Sequence, residues 1–423
     1  MYSSKRVKVL GVGAAALLFL TACGSDDGGS SSGDDTASAA SSEPMKFGYV
    51  LPETGDLAFL GPPQIEAAKY AMSQINDAGG VLGNELPEIV GSDEAGDQAI
   101  ASQSADRLLN AGVNAVIGAA ASGMSLAIID KVTGAGVAQC SGSNTAPTFT
   151  DYSDNGLYFR TAPSDALQGP VLANVIVGDG YSNVAIVARA DDYGKGLADA
   201  TANALEGSGA TVAVSESYDP KATNFDSVVQ KVSSSDPDAV VVIAFEEGTQ
   251  IIAGLIEAGL TPDSVGVYGT DGLRITNLGE LVNPSDPSVV DGMKGTAPAS
   301  ADNPDFIAGL EEFAPDLEQT QFAPQVFDCV TILALAAEQA KSTNAEDFKG
   351  EVTGITKDGE KCTTFADCKE LIDAGTDIDY DGVSGPLDFT DAGEPGSATI
   401  EVYEFKDGGT LETLSTEVSE PAQ

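Results

Sequence analysis

The sequence contains no histidine and no tryptophan. A Ser–His–Asp triad, a Cys–His pair and a histidine-ligated metal are therefore all excluded. Basic residues are scarce: 20 Lys and Arg stand against 65 Asp and Glu, a formal net charge of −45. Nucleic acid is excluded as a partner, because a phosphate backbone needs clustered Lys and Arg. Docking on anionic lipid is disfavoured for the same reason. Beyond the N-terminal segment no apolar run approaches the roughly 18 residues of a membrane span. What is there is a chain of 423 residues, 42% apolar. That is enough for two or three domains and a sizeable core. One-sided charge bears on solubility and milieu rather than on fold, and a salty exterior is one reading of it.

Lys5, Arg6 and Lys8 precede an apolar run from Val9 to Leu20. A membrane span needs about 20 residues, so this run matches the core of a signal peptide instead. It closes on Leu20-Thr21-Ala22-Cys23, which resembles the bacterial lipobox. Residues 1–22 are expected as a lipoprotein signal peptide and Cys23 as the lipidated residue. Residues 23–44, rich in Gly, Ser, Asp and Ala, predict a flexible tether. About 20 extended residues reach roughly 60–70 Å. The folded body is expected on the outer face of the cytoplasmic membrane, held by its lipid.

With Cys23 lipidated, four cysteines remain. An even count in an exported chain suggests disulfides. Cys362 and Cys368 enclose a short loop and are expected to pair. Cys140 ends an apolar strand and Cys329 lies early in a helix. Whether those two pair depends on the fold, and two buried free thiols are the alternative. The C-x5-C spacing does not suit zinc. No metal and no cofactor are expected.

From residue 45 the chain alternates short β-prone runs with amphipathic helices. Residues 45–51, 89–90, 113–117 and 137–140 predict strands, and 62–76, 98–110 and 124–133 predict helices. The rhythm then repeats. Residues 184–188, 211–214, 239–245 and 265–268 predict strands, and 195–206, 225–233 and 249–258 predict helices. Alternating β and α elements give parallel sheets with helices on both faces. The wholly apolar Val240-Val241-Val242-Ile243 fits a central strand buried on both faces. After about residue 296 the pattern changes. Helices at 304–313 and 325–341 lead to the Cys362–Cys368 segment, then to strands at 386–389 and 397–405. This tail is too irregular for a third domain and is expected to complete both lobes. The fold class is α/β with two lobes, each a parallel sheet flanked by helices. The first lobe is expected from 45–164 plus 297–400, the second from 165–296 plus 401–415.

In open α/β sheets, ligands sit at the carboxyl ends of the strands. That rule selects 51–61, 119–125, 141–145, 189–193, 245–247 and 270–272. In the first half these segments are small, hydroxylic and glycine-rich, which suits a carboxylate. In the second they are acidic and aromatic, which suits an ammonium group. A molecule carrying both, such as a free α-amino acid, matches the pair. Glu246 and Glu247 are expected to be a solvated helix start, with contact to a basic ligand as the alternative.

The same segments resemble a known family. Pro52 to Gly61, then Glu66-Ala67-Ala68 and Ile75-Asn76-x-x-Gly79-Gly80, look like the opening of the leucine/isoleucine/valine-type periplasmic binding proteins. Val116-Ile117-Gly118 with Ser122, and Ser141 to Pro147, continue the likeness. Arg160-Thr161 with Asp165, Gln168 and Gly169 follow, then Asp192-Tyr193-Gly194-x-Gly196. Tyr268-Gly269-Thr270-Asp271-Gly272 and Tyr380-Asp381-Gly382-x-x-Gly385-Pro386 complete it. The resemblance implies a type I periplasmic-binding fold with a multi-strand hinge, delivering a small amino acid to an ABC permease. It implies that Ser122 and Thr145, helped by main-chain groups near Ser143, hold the ligand's carboxylate. It implies that Asp271 takes the ammonium, where Glu is common in the family. Tyr193 and Phe245 would wall the side-chain pocket. Leu60 stands where an aromatic is frequent.

Two other readings compete. Asp377-x-Asp379-x-Asp381-Gly382 resembles the first half of a calcium-binding EF-hand loop. Position 12 would be Asp388 rather than the bidentate Glu, and the following residues read as strand. An extracellular hydrolase is opposed by the missing histidine and the missing G-x-S-x-G elbow. A ligand-sensing receptor domain, or a binder of amides or urea, would share the fold.

Overall fold

The structure is a computed structural model that describes residues 43–55, 57–299 and 303–420. The signal segment, Cys23 and the tether as far as residue 42 lie outside the described residues. Five strands form the first sheet: β1 (Phe47–Leu51), β2 (Val90–Asp93), β3 (Ala115–Gly118), β4 (Ala138–Ser141) and β5 (Tyr158–Arg160). Their order is β2-β1-β3-β4-β5, with every pair parallel. Next come β6 (Asn183–Arg189), β7 (Thr211–Tyr218), β8 (Ala239–Ile243), β9 (Gly266–Gly269) and β10 (Lys294–Pro298). A small sheet holds β11 (Glu360–Cys362), β12 (Ile378–Gly382) and β13 (Gly385–Pro386). The antiparallel pair β14 (Ala398–Lys406) and β15 (Thr410–Ser419) then joins the second sheet, ordered β15-β14-β10-β9-β8-β6-β7.

Helices cover both sheets. They are α1 (Gly61–Asp77), α2 (Gln98–Ala111), α3 (Ser122–Gly134), α4 (Asp165–Gly178), α5 (Asp192–Gly207), α6 (Asp226–Ser234) and α7 (Gly248–Glu257). The short α8 (Leu278–Val282), α9 (Pro304–Phe313) and α10 (Ala323–Ala340) follow. Local chemistry sets their ends. The Asp97 carboxylate accepts from Ala99 N and Ile100 N to start α2, and Gly112, at φ 70°, ends it. α10 is apolar on nearly every side and is correspondingly buried on nearly every side.

The chain passes from one sheet to the other more than once. After β5 it enters α4 and builds most of the second sheet. After β10 it returns: α9 and α10 pack into the apolar core of the first sheet. After Phe389 it goes back as β14 and β15. A disulfide between Cys140 and Cys329 ties β4 to α10 across 189 residues. The two thiols that the sequence left open are thus bonded, because α10 lies directly on β4. Cys362 and Cys368 also pair.

Several elements differ from the sequence reading, β5 and β10 among those it did not assign. Residues 165–178, assigned no element, form α4. The acidic repeat at 377–382 is largely strand β12, and Lys361 Nζ lies 2.9 Å from carboxylate oxygens of both Asp379 and Asp381. The strand expected at 386–389 shrinks to Gly385–Pro386. An unexpected last strand, β15, forms the sheet's edge.

Candidate functional site

Strand order reverses beside β1 and β3 in the first sheet, and beside β6 and β8 in the second. Strand ends diverge at such points and leave a crevice. On the first side, β3 ends at Gly118 and α3 opens on Ser122, which is buried. The fully buried Glu94 carboxyl accepts from the amides of Ala120 (2.8 Å) and Ala121 (3.4 Å), fixing that turn. Burial pushes the Glu94 carboxyl up to about 8, against the pull of those amides. Ser122 Oγ accepts from Ala146 N at 3.4 Å. The Ser143 hydroxyl lies 3.0 Å from both Gln64 Oε1 and Ala120 O, so its one proton serves the lobe's interior. Thr145 is buried, and its carbonyl accepts from Asp165 N at 2.7 Å.

A cation braces this loop from behind. Arg160 is fully buried. Its Nη1 donates to Ala146 O (2.8 Å) and Asn144 O (3.2 Å). Its Nε donates to Glu394 at 2.7 Å, and Nη2 pairs with the same carboxylate. Glu394 lies far along the returning chain, so the loop is closed from both ends of the sequence.

On the second side, β9 delivers Asp271, which is buried. Its Oδ1 accepts from Tyr193 OH at 2.7 Å and from Gln168 Nε2 at 3.2 Å. Its carbonyl accepts from Gln321 Nε2 at 2.8 Å. Burial pushes the Asp271 carboxyl up to about 6, while Tyr193 and Gln168 pull it down. The Tyr193 ring stacks on Phe245, with centroids 5.2 Å apart. The Arg189 guanidinium sits 3.6 Å from the Phe245 ring centroid. Gly272 permits this packing: a Cβ there would meet Ala244 O at 2.3 Å.

Glu247 overturns the expectation of a solvated helix start. It is buried, accepting from Arg189 Nη1 at 2.9 Å and Tyr218 OH at 2.8 Å. Its partners come from β6 and β7, so no local signal announced them. Glu246 remains exposed.

The two sides meet. Leu57, Leu60, Ala121, Tyr193, Phe245 and Phe322 belong to one buried apolar cluster. The Thr145 hydroxyl lies beside the Asp165 carboxyl, and the charge of Asp271 acts on the same carboxyl. Ser122 joins through Ala146, the neighbour of Thr145. Ser143 faces Gln64 instead. Asp165, Gln168 and Gln321 were given no role from sequence. Asp165 and Gln168 share one face of α4 at i, i+3 spacing, the local signal that could have found them. Among the described residues no group of His, Cys, Asp and Glu could hold a metal ion. No described helix is long and apolar enough to cross a membrane.

A family model described as periplasmic binding protein matches residues 44–410. The chain is similar to the leucine-, isoleucine-, valine-, threonine-, and alanine-binding protein of Pseudomonas aeruginosa. The two are 27% identical over 376 residues, which cover 88% of this chain and 92% of that protein. It is also similar to the chemotactic signal transduction system substrate-binding protein BasB of Halobacterium salinarum. There the identity is 25% over 382 residues, 87% of this chain and 89% of that one. Among solved structures, the leucine binding protein LivK of Thermotoga maritima superposes with a TM-score of 0.74 at 21% identity, covering 89% of this chain and 99% of its own.

Proposed function

The chain belongs to the periplasmic binding protein family, and from that premise we propose that it captures a small aliphatic amino acid between its lobes and delivers it to an ABC permease. It is a solute-binding protein rather than an enzyme, as its relatives are. One observation carries the ligand class. The reading rests on buried hydroxyls and a helix start at the strand ends of one sheet, a buried carboxylate at those of the other, and an apolar cluster drawn from both sides. In this reading Ser122 and Thr145, with main-chain amides at the start of α3 and near Ser143, hold the ligand's carboxylate. Asp271 holds its ammonium, oriented by Tyr193 and Gln168. Leu57, Leu60, Phe245 and Phe322 offer an aliphatic side chain an apolar surround. The names of the Leu/Ile/Val-binding relatives support that class.

Capture works through differential affinity: only the closed form lets one molecule touch both lobes. Driving a hinge from mostly open to mostly closed takes about 5.5 kcal/mol. Two charge-assisted anchors at about 1.5–3 kcal/mol each, plus about 1.5–3 kcal/mol from burying a Leu-sized side chain, reach that figure. Lipid attachment at Cys23 would keep the body within reach of a membrane partner. Asp271→Ala is expected to weaken amino-acid binding at least tenfold while the chain stays folded. Unchanged affinity by calorimetry would reject the assignment.

A second reading, presentation of the ligand to a membrane receptor, is favoured by the likeness to the chemotactic protein. Cells lacking the chain separate the two. Loss of labelled amino-acid uptake supports delivery, and intact uptake with lost chemotaxis supports sensing.

A further inference from the structure

Each of the two candidate anchor loops is braced by a guanidinium–carboxylate pair, and both carboxylates come from one short stretch of chain. On the first side the buried Glu394 holds Arg160, which in turn holds Ala146 O and Asn144 O of the loop assigned to the ligand's carboxylate. Thr150 also donates to Glu394, at 2.9 Å. On the second side Arg274 follows directly on the Asp271–Leu273 turn, and its amide donates to Asp271 O at 3.2 Å. Its Nε donates to Glu401 Oε2 at 2.6 Å and its Nη2 to Glu401 Oε1 at 3.1 Å, a forked pair on a buried acid.

Glu401 belongs to β14, and Tyr403, two residues on, projects from the same face. The buried Tyr403 hydroxyl donates to Thr270 O at 2.8 Å. β14 therefore holds the residue before Asp271 as well as the residue that closes its turn. Glu394 stands shortly before Glu401, where the chain leaves the first core for the second sheet. Stability alone does not account for these pairs. Replacing a buried ion pair by apolar residues is often neutral or stabilising, and the best-attested use of such a pair is to fix register. Register is what a crossing strand needs: a slip of one residue on β10 would turn Glu401 and Tyr403 to the opposite face of the sheet. In the observed register Ala297 faces Glu401 and Gly295 faces Tyr403. Gly295 leaves the room, because a Cβ there would meet the Tyr403 ring at 2.3 Å.

Resting on the amino-acid reading above, we propose that Glu401 and Tyr403 are positioning residues for the ammonium end of the ligand, acting through Arg274 and Thr270, and that the stretch from Glu394 to Tyr403 is a strap that sets the two anchor loops in register with each other. Each side chain acts through the loop it holds. Loosening the strap at its second end misplaces Asp271 and leaves the carboxylate loop alone. Loosening it at the first end does the reverse. A side chain that only stabilised the fold would weaken both ends alike.

Calorimetry on the whole chain compares leucine with 4-methylpentanoate, which lacks the amine, and 3-methylbutylamine, which lacks the carboxylate. The weaker analogues are read by displacement of leucine. Glu401→Gln is expected to weaken leucine and 3-methylbutylamine about threefold or more, within the range for residues that act without contacting ligand, and to leave 4-methylpentanoate as in wild type. Glu394→Gln is expected to do the converse: leucine and 4-methylpentanoate weaken, and 3-methylbutylamine holds. Tyr403→Phe removes one hydroxyl and should reproduce the Glu401→Gln pattern, which decides the matter where a charge-removing variant fails to fold. Unchanged affinities in Glu401→Gln and Tyr403→Phe, or an equal loss for all three ligands, would overturn the proposal. A wild-type chain that binds no amino acid rejects the amino-acid reading itself, and this inference with it. Wild-type binding of leucine with indifferent Glu401 and Tyr403 rejects the inference alone.

Discussion

Arg160 shows how one side chain braces the candidate site from behind. It is fully buried, and its donors hold the loop that carries Ser143 and Thr145. Arg160→Ala leaves Glu394 buried without its cation and should cost roughly 3–5 kcal/mol in urea unfolding. A cost of about 1 kcal/mol or less, typical of an exposed pair, would contradict this role. Glu94 gives a pH signature. Its folded carboxyl titrates near 8 against an ordinary value of 4.5, because burial disfavours the charge. The folded chain then holds the proton more tightly than the unfolded chain. Its contribution to stability is complete below the unfolded value and is lost as pH rises towards the folded one. Glu94→Gln should flatten the dependence of Tm on pH between about 5 and 8. Parallel curves for variant and wild type would contradict it. Ser122, Thr145 and Asp271 could be proposed from the sequence because strand ends and the family resemblance mark them. The burial of Glu247 could not, because its partner Arg189 is 58 residues away.

Most of the βα rhythm was legible because its strands are apolar runs and its helices are periodic. The exceptions have identifiable causes. α4 carries Gly169-Pro170, which reads as a break. Tertiary packing overrides that signal: a Cβ at Gly169 would meet Ala200 Cβ at 2.7 Å, so the glycine lets α4 and α5 approach. β15 alternates Thr, Glu and Ser with few apolar residues, since it is a solvent-facing edge. β12 hid behind a calcium-like spacing whose carboxylates instead meet Lys361. The pairing of Cys140 with Cys329 needed the contact between β4 and α10, which no local pattern encodes. Opening that bridge with Cys329→Ser frees a long loop in the unfolded chain and should lower stability by roughly 2–5 kcal/mol. Equal urea midpoints for variant and wild type would show that the bridge contributes nothing.

At the scale of the whole molecule, charge and hinge dominate. Twenty cations cannot pair 65 acids, so most carboxylates have no cation of their own. Raising salt from about 0.1 M to 1 M shortens the screening length from about 10 Å to 3 Å. Repulsion within the compact state weakens accordingly. The urea midpoint is expected to rise over that range, and a flat or falling midpoint would show that the charge is balanced locally. In the proposed function, the fold closes over a molecule with two charged ends, each gripped from a different sheet. Calorimetric titration with leucine, 4-methylpentanoate and 3-methylbutylamine addresses that directly. Leucine should bind, and each analogue missing one end should bind at least about tenfold more weakly, the minimum for losing one charge-assisted anchor. An analogue binding as tightly as leucine would mean that one wall of the crevice grips nothing.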